Sequence, residues 1–278
     1  MIWTCRDKTF DLTKRGEIMG ILNVTPDSFS DGGQFVDVDQ AVAHGIAMLD
    51  DGAGIIDIGG ESTRPGADDV SESDELARVV PVIEGITGQR ADAVISIDTS
   101  KSEVARQSIA AGAVIINDVT GLKGDSEMLS VAAELNAGVV IMHMKGTPRT
   151  MQSEPHYDDV VAEVREFFQA QLKSAQAAGI SDSAIVFDPG IGFGKTIDHN
   201  VGLLRDLKTL TVAERPILLG VSRKSFIGKL IDSEEVADRN WPTVALTSYA
   251  REQGIRLHRV HEVKPNSEAL RMTEAILG

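Results

Sequence analysis

The sequence predicts an α/β fold in which eight strands and eight helices alternate to close a single (β/α)8 barrel. Three observations predict it. Eight short apolar, β-branched runs recur along the 278 residues, segments with helical spacing separate them, and one such barrel needs about 250 residues. With 42% apolar and 25% charged residues, the chain can bury a core without disulfides or metal staples.

The runs are Ile18–Val24, Gly54–Gly60, Val94–Thr99, Val114–Thr120, Gly138–Met144, Ala184–Gly190, Pro216–Ser222 and Leu257–Val263. They are nearly continuous hydrophobic stretches, as expected of strands buried on both faces of a parallel sheet. Between them, Asp39–Asp51 places Ala41, Val42, Ile46 and Leu49 on one helix side, with Met48 expected in the core. Ser71–Ile86 opens with Ser71 and has Asp74 three residues on, which resembles a capping box with the shorter acid. Ser100–Ala111, Ser126–Asn136, Val160–Ala178, His199–Leu210, Thr243–Gln253 and Ser267–Leu277 complete the helices, and Gly52, Gly112, Gly179 and Gly254 stand as stop signals. An open doubly wound sheet is the alternative, but no G-x-G-x-x-G follows the first strand. With no linker in view, residues 1–278 read as a single domain with a short N-terminal extension, 1–16.

A formal charge of −15 argues against nonspecific nucleic-acid binding, which needs a Lys/Arg surplus. Cys5 is alone, so no intrachain disulfide forms. No apolar run approaches the roughly 20 residues that span a bilayer, and Met1–Phe10 holds no signal-peptide core. A cytoplasmic protein without membrane or nucleic-acid partners is expected.

In such a barrel the active site lies at the C-terminal ends of the strands. Those ends are polar here: Asn23, Asp57, Asp98, Asn117 with Asp118, His143, Asp188, Ser222–Ser225, and Arg259 with His261. One such residue is commonly a cap or a loop contact, but all eight strands delivering them implies a ligand, because unpaired buried charges are costly. Asp98, Asn117 and Asp188 suit a flat heterocycle rich in N–H donors, such as a pterin or guanine ring. Lys224, Arg259 and His261 suit an anion, and the segment at Ser222–Ser225 should open a helix whose N–H groups attract one. Two long loops, Thr25–Gly33 and Glu61–Ala67, have the composition of lids.

At these residues the chain resembles the dihydropteroate synthase family. The resemblance is carried by Met19–Gly33, Asp57–Gly66, Ser96–Thr99, Asn117–Gly121, Met142–Gly146, Phe187–Lys195, Ser222–Ser225 and Arg259–His261, and it runs from about Gly16 to the C-terminus. It implies a TIM barrel that joins a pterin diphosphate to 4-aminobenzoate. It further implies that Asp98, Asn117, Asp188 and Lys224 hold the pterin, with Met142, Phe193 and Gly220 shaping the pocket. Asn23, Thr63, Arg64, Arg259 and His261 would hold the diphosphate, with Mg²⁺ between Asn23 and phosphate oxygens. Phe29, Pro65 and Ser222 would form the aminobenzoate pocket, where sulfonamides compete. Asp31 would stabilise a cationic pterin methylene, and Asp31, Arg64, Lys224, Arg259 and His261 would carry the catalysis. A homodimer is implied.

Two departures stand out. Glu262 replaces the family's usual Asp, which is expected to matter little, and the segment from Asn240 to Thr247 is less Ala- and Gly-rich than usual, which weakens the case for the family's dimer. Other readings stay open. A methyltetrahydrofolate-binding methyltransferase would need no diphosphate site. A Schiff-base aldolase would use Lys224. A metal hydrolase would draw on His143, His261 and Asp188. A noncatalytic pterin-binding module would release no diphosphate. His44, His156, His199 and His258 are expected to be solvated or capping, and Tyr157 and Tyr249 to lie on helix surfaces.

Overall fold

The structure is a computed structural model that describes residues 1–25, 38–63, 66–147, 149–151 and 153–278. An antiparallel hairpin, β1 (Ile2–Cys5) and β2 (Lys8–Asp11), precedes the barrel strands. These are β3 (Glu17–Asn23), β4 (Ile55–Gly59), β5 (Ile95–Asp98), β6 (Ile115–Asp118), β7 (Gly138–Met142), β8 (Ile185–Asp188), β9 (Leu218–Leu219) and β10 (Leu257–Val260). The eight pair in the order β8-β7-β6-β5-β4-β3-β10-β9, every pairing parallel. The ring closes between β8 and the residues before β9, through a parallel bridge from Phe187 to Ile217 and a bond from Phe187 N to the Pro216 carbonyl at 3.0 Å. All eight expected strands are present, and the expected (β/α)8 barrel is the observed one.

The helices are α1 (Val38–Asp50), α2 (Glu72–Gln89), α3 (Ser102–Ala111), α4 (Met128–Glu134), α5 (Val160–Ala177), α6 (Ile197–Arg205), α7 (Ser225–Leu230), α8 (Asn240–Glu252) and α9 (Val263–Leu277). Four helix boundaries differ from expectation by three residues or more, the first being the end of α2, which runs on to Gln89 past Ile86. The segment His199–Leu210 breaks at Asp206 into α6 and a 3-10 turn over Leu207–Leu210. Helices α8 and α9 each start earlier than predicted, with Pro242 and Pro265 inside their first turns. A proline there gives up an N–H that has no helical partner anyway. Ser71 caps α2 by accepting from Asp74 N at 3.1 Å, but the Asp74 carboxylate accepts the Ser71 hydroxyl at 2.6 Å instead of reaching the backbone, so only half of a capping box forms. Gly52, Gly112, Gly179 and Gly254 all take positive φ, as helix-ending glycines should.

Strand alternation sorts the core into an outer and an inner layer. Residues such as Ile56, Ile58, Ile97, Ile116, Val139 and Ile141 face the helices. Inside the barrel, Met19, Ile55, Ile115, Val140, Val186, Leu218 and Leu257 form one apolar layer, with a residue from each of seven strands. The N-terminal hairpin packs against this layer with Trp3, Cys5 and Leu12. The Trp3 indole N–H donates to the Ala184 carbonyl at 2.9 Å, and its ring lies 5.5 Å from that of Phe10. Burial pushes the Cys5 thiol pKa up, so the thiol is inert packing. The extension 1–16 is thus a plug at the N-terminal end of the strands, a role its short polar stretch did not reveal. Replacing Trp3 by Ala should destabilise the protein by about 3–5 kcal/mol in urea unfolding, through lost burial and a cavity. Ligand affinity at the opposite end should be unchanged in titrations of the folded variant.

Candidate active site

The inner apolar layer sets the positions of the polar groups above it. Side chains two residues apart on a strand share a face. Moving two residues onward from Ile55, Ile115, Val140, Val186, Leu218 and Leu257 reaches Asp57, Asn117, Met142, Asp188, Gly220 and Arg259. Asp98 joins them from β5, where it lies in register with Asn117. Seven strands therefore deliver polar or pocket-shaping groups into one mouth by simple alternation.

Asp57 and Arg259 form its centre. Asp57 is fully buried, and its Oδ2 accepts from Arg259 Nε at 2.5 Å and from Asn117 Nδ2 at 2.9 Å. Arg259 Nη2 donates to Asp98 Oδ2 at 2.6 Å. One guanidinium thus spans two carboxylates. Burial pushes the Asp98 carboxyl up to about 7, with Arg259 pulling the other way. Asp57 carried no assigned role in the sequence. Its place two residues beyond Ile55, on the face of the other site groups, was the signal that could have found it.

Asp188 and Lys224 face each other on the other side. Burial raises the Asp188 pKa, and the Gly190 N–H, bonded to its Oδ1 at 2.7 Å, works against that rise, as do Lys224 and Arg259. Gly220 leaves room beside this carboxylate: a Cβ there would sit 3.4 Å from Asp188 Oδ2. Lys224 stands just before α7 with its Nζ 3.9 Å over the Phe193 ring, and burial lowers its pKa to about 8. Met142, Phe193, Val119 and Met151 pack as a small apolar cluster beside it. Gly190 takes φ +64, and a Cβ at that position would run into the His143 carbonyl, so the turn after Asp188 admits only glycine there.

The remaining groups lie on the rim. Ser222 is buried, and its Oγ lies 2.9 Å from His261 Nδ1 while accepting the His261 backbone N–H at 3.1 Å. Asn23 ends β3, half-buried, and no hydrogen bond joins its carboxamide to another described residue. Thr63 is half-buried beyond β4, in a segment rooted by Glu61, which accepts Lys101 Nζ at 2.6 Å and Val70 N at 2.8 Å. Phe29, Asp31, Arg64 and Pro65 lie outside the described residues, as do most of the first loop and part of the second.

Several expectations are corrected. His258 is neither solvated nor capping: it is 1% exposed, and burial drives its pKa down to about 3. Tyr157 is 6% exposed and donates its hydroxyl to the Gly194 carbonyl at 2.8 Å, so it is not a surface residue. His199 does cap, accepting from Thr196 N at 3.2 Å, and His156 and Tyr249 are exposed. Asp118 is spent on the turn after β6, where it accepts from the N–H groups of Thr120 and Leu122. His143 accepts from Lys195, His261 pairs with Ser222, and among the described residues no three His, Cys, Asp or Glu side chains could hold a metal ion. The metal-hydrolase reading falls with that.

A profile of pterin-binding enzymes matches residues 19–261. The chain belongs to the pterin-binding enzyme family. Within it, the chain is 48% identical to a dihydropteroate synthase of Escherichia coli (strain K12) over 261 residues, 94% of this chain and 92% of that relative. It is 45% identical to one of Synechocystis over 267 residues, 96% and 92% of the two chains. Among solved structures, the Yersinia pestis dihydropteroate synthase with a sulfonamide drug complex superposes with TM-score 0.93 at 47% identity, covering 100% of this chain and 99% of that one. The Xanthomonas albilineans dihydropteroate synthase in complex with 7,8-dihydropteroate superposes with TM-score 0.90 at 41% identity, covering 100% and 99%.

The two departures from this family's pattern meet at one side chain. Arg223 Nε donates to Asn240 Oδ1 at 2.8 Å, and its Nη2 pairs with Glu262. Glu262 therefore ties the end of β10 to the segment before α7, and Asn240 extends that tie to α8.

The charges predict a pH response. A ring that donates N–H groups to Asp98 favours the ionised carboxylate, so affinity should rise with pH through about 7. Lys224 loses its proton above about 8, so affinity should fall there. Titration of a pterin ligand across this range should give a bell-shaped curve, and a flat one would remove both groups from the contact.

Proposed function

We propose that this chain is a dihydropteroate synthase. It condenses (7,8-dihydropterin-6-yl)methyl diphosphate with 4-aminobenzoate to give 7,8-dihydropteroate and diphosphate. The observation that carries the reading is the single mouth in which Asp98, Asn117 and Asp188 meet Lys224 and Arg259, with Arg259 bonded directly to Asp98. A flat N–H-rich ring and a leaving anion need those two groups side by side.

In this reading Asp98, Asn117 and Asp188 accept from the pterin N–H groups, and Lys224 donates to the ring. Asn117 gives its own amide N–H to Asp57, which leaves its Oδ1 for the ligand. Met142, Phe193 and Gly220 shape the slot. Asn23, Thr63, Arg64, Arg259 and His261 bind the diphosphate, while Phe29, Pro65 and Ser222 receive 4-aminobenzoate. The C–O bond at the pterin methylene breaks, and its electron pair departs with the diphosphate. The neutral amine nitrogen then forms the new C–N bond and sheds a proton. Cationic side chains offset the charge gathering on the leaving group, and Asp31 stabilises the methylene cation.

The residues fit Mg²⁺. The Asn23 carboxamide is a hard oxygen donor with no competing hydrogen bond to a described residue, and magnesium is commonly held by few protein ligands together with substrate phosphates. When bound there, the ion would neutralise charge on the diphosphate oxygens.

We further infer a homodimer. Helices α6, α7 and α8 frame an apolar groove of about 480 Å³, lined by Leu204, Phe226, Ile227, Leu230 and Leu246 among others. Leu230 is 57% exposed at its edge, and such a face favours a second apolar surface over water. Leu230→Asp should halve the mass in sedimentation. The single buried, unpaired Cys5 supports a reducing cytoplasmic setting.

A diphosphate-release assay tests the activity. Release should require the pterin diphosphate, Mg²⁺ and 4-aminobenzoate together, and a sulfonamide should raise the KM for 4-aminobenzoate without lowering kcat. Release without the amine, or none with all three, would overturn the reading. Methyl transfer from a methylated folate would favour the methyltransferase alternative instead.

A further inference from the structure

Beneath the turn that follows β8 lies a buried ammonium with no part in the chemistry above. Lys195 is 3% exposed. Its Nζ donates to the Gly190 carbonyl at 2.9 Å, to the Phe193 carbonyl at 3.0 Å and to His143 Nδ1 at 3.0 Å. The His143 carbonyl lies at 3.4 Å as a fourth acceptor, so all three N–H donors of an ammonium are engaged. No carboxylate of a described residue accepts from it, so the charge it carries when protonated is buried against neutral acceptors, a costly arrangement for packing alone. An uncharged side chain would hold the same carbonyls at less cost.

The charge has a use nearby. The turn that Lys195 holds carries both Asp188 and Phe193. Gly190, whose carbonyl accepts from Lys195, gives its own N–H to Asp188 Oδ1 at 2.7 Å. The Phe193 ring lies under Lys224 Nζ at 3.9 Å. We propose that Lys195 is a positioning residue for pterin recognition: it fixes the Asp188–Phe193 turn through its carbonyls and lends its charge to the ionised Asp188 carboxylate. The proposal rests on the dihydropteroate synthase reading.

The titratable and charged groups around Lys195 and Asp188 are Lys224 at the head of α7, Arg259 on β10, His143 and Lys145 after β7, and His199 on α6. Burial raises the Asp188 pKa, while the Gly190 N–H, Lys224, Arg259 and Lys195 oppose that rise. His143 stays neutral, since burial and then Lys195 hold it down to about 3. Burial lowers Lys195 itself to about 7, so its charge is present on the acid side, where Asp188 most needs help to ionise.

Two variants of the full-length enzyme separate the roles. Lys195→Met removes both donors and charge, and Lys195→Gln keeps donors alone. Binding of the pterin diphosphate is measured by calorimetry against pH, with KM for each substrate. Lys195→Met should weaken pterin binding by about tenfold or more at pH 7 and leave the 4-aminobenzoate KM within about twofold. Lys195→Gln should approach wild-type affinity above about pH 8, where the native lysine has shed its proton, and lose it at lower pH as the acid limb moves up by about one unit. That limb belongs to the Asp98 and Asp188 pair together.

Unchanged pterin affinity in Lys195→Met would overturn the proposal, as would equal rises in both KM values, which mark general loosening. Wild-type behaviour of Lys195→Gln at every pH would also overturn it, by showing the charge to be idle. If Lys195→Met does not fold, Lys195→Gln alone decides. Wild-type enzyme that fails to bind the pterin diphosphate would sink the functional reading itself, whereas normal wild-type binding with unaltered variants sinks only the role of Lys195.

Discussion

The mouth of the barrel depends on one guanidinium held between two carboxylates. Arg259 reaches Asp57 with one nitrogen and Asp98 with another. A planar fork does this with two separate nitrogens held in a fixed geometry. Without the cation, two buried acids would stand close together above an apolar layer that keeps water out, and one of them would have to take up a proton. With it, Asp57 stays available to orient Asn117, and Asp98 keeps a defined direction in the cavity. The acidic half of the site is therefore built around a base. That is how an acidic half and a basic half share a single mouth.

The apolar layer beneath is the second condition. Met19, Ile55, Ile115, Val140, Val186, Leu218 and Leu257 fill the barrel, and the hairpin with Trp3 closes its far end. A dry floor strengthens every charge pair above it. It also separates the two ends: Trp3, Cys5 and Leu12 cluster with this layer, whereas Met142 and Phe193 belong to a separate cluster at the mouth.

Most of this architecture was legible in the sequence, for a physical reason. Strands buried on both faces carry unbroken apolar runs, and a polar residue that interrupts such a run near its end, like Asp98 or Asp188, has to be explained. What was not legible depends on contacts made across the ring. Asp57 reads as one more polar strand residue until Arg259, 202 positions away, is seen to meet it. Lys195 closes a glycine-rich motif, and only the fold shows its side chain turned back under that motif. The hairpin was missed because strands as short as β1 and β2, only two of whose eight residues are buried, leave no long apolar run. His258 and Tyr157 were misread for the same reason: a polar atom on a residue says little about whether the rest of it is buried.

The barrel has a seam. Strand β9 is two residues long, and one bridge from Phe187 to Ile217 joins its leading segment to β8. Elsewhere the ring is laced by ladders such as the five-residue register between β3 and β4. Just above the seam, Asp188 stands on one lip and Lys224 on the other. A ligand that accepts from one lip and donates to the other does more than fill a cavity. It would add a rung beside the lone backbone bridge, so occupancy would brace the ring where its ladder is thinnest.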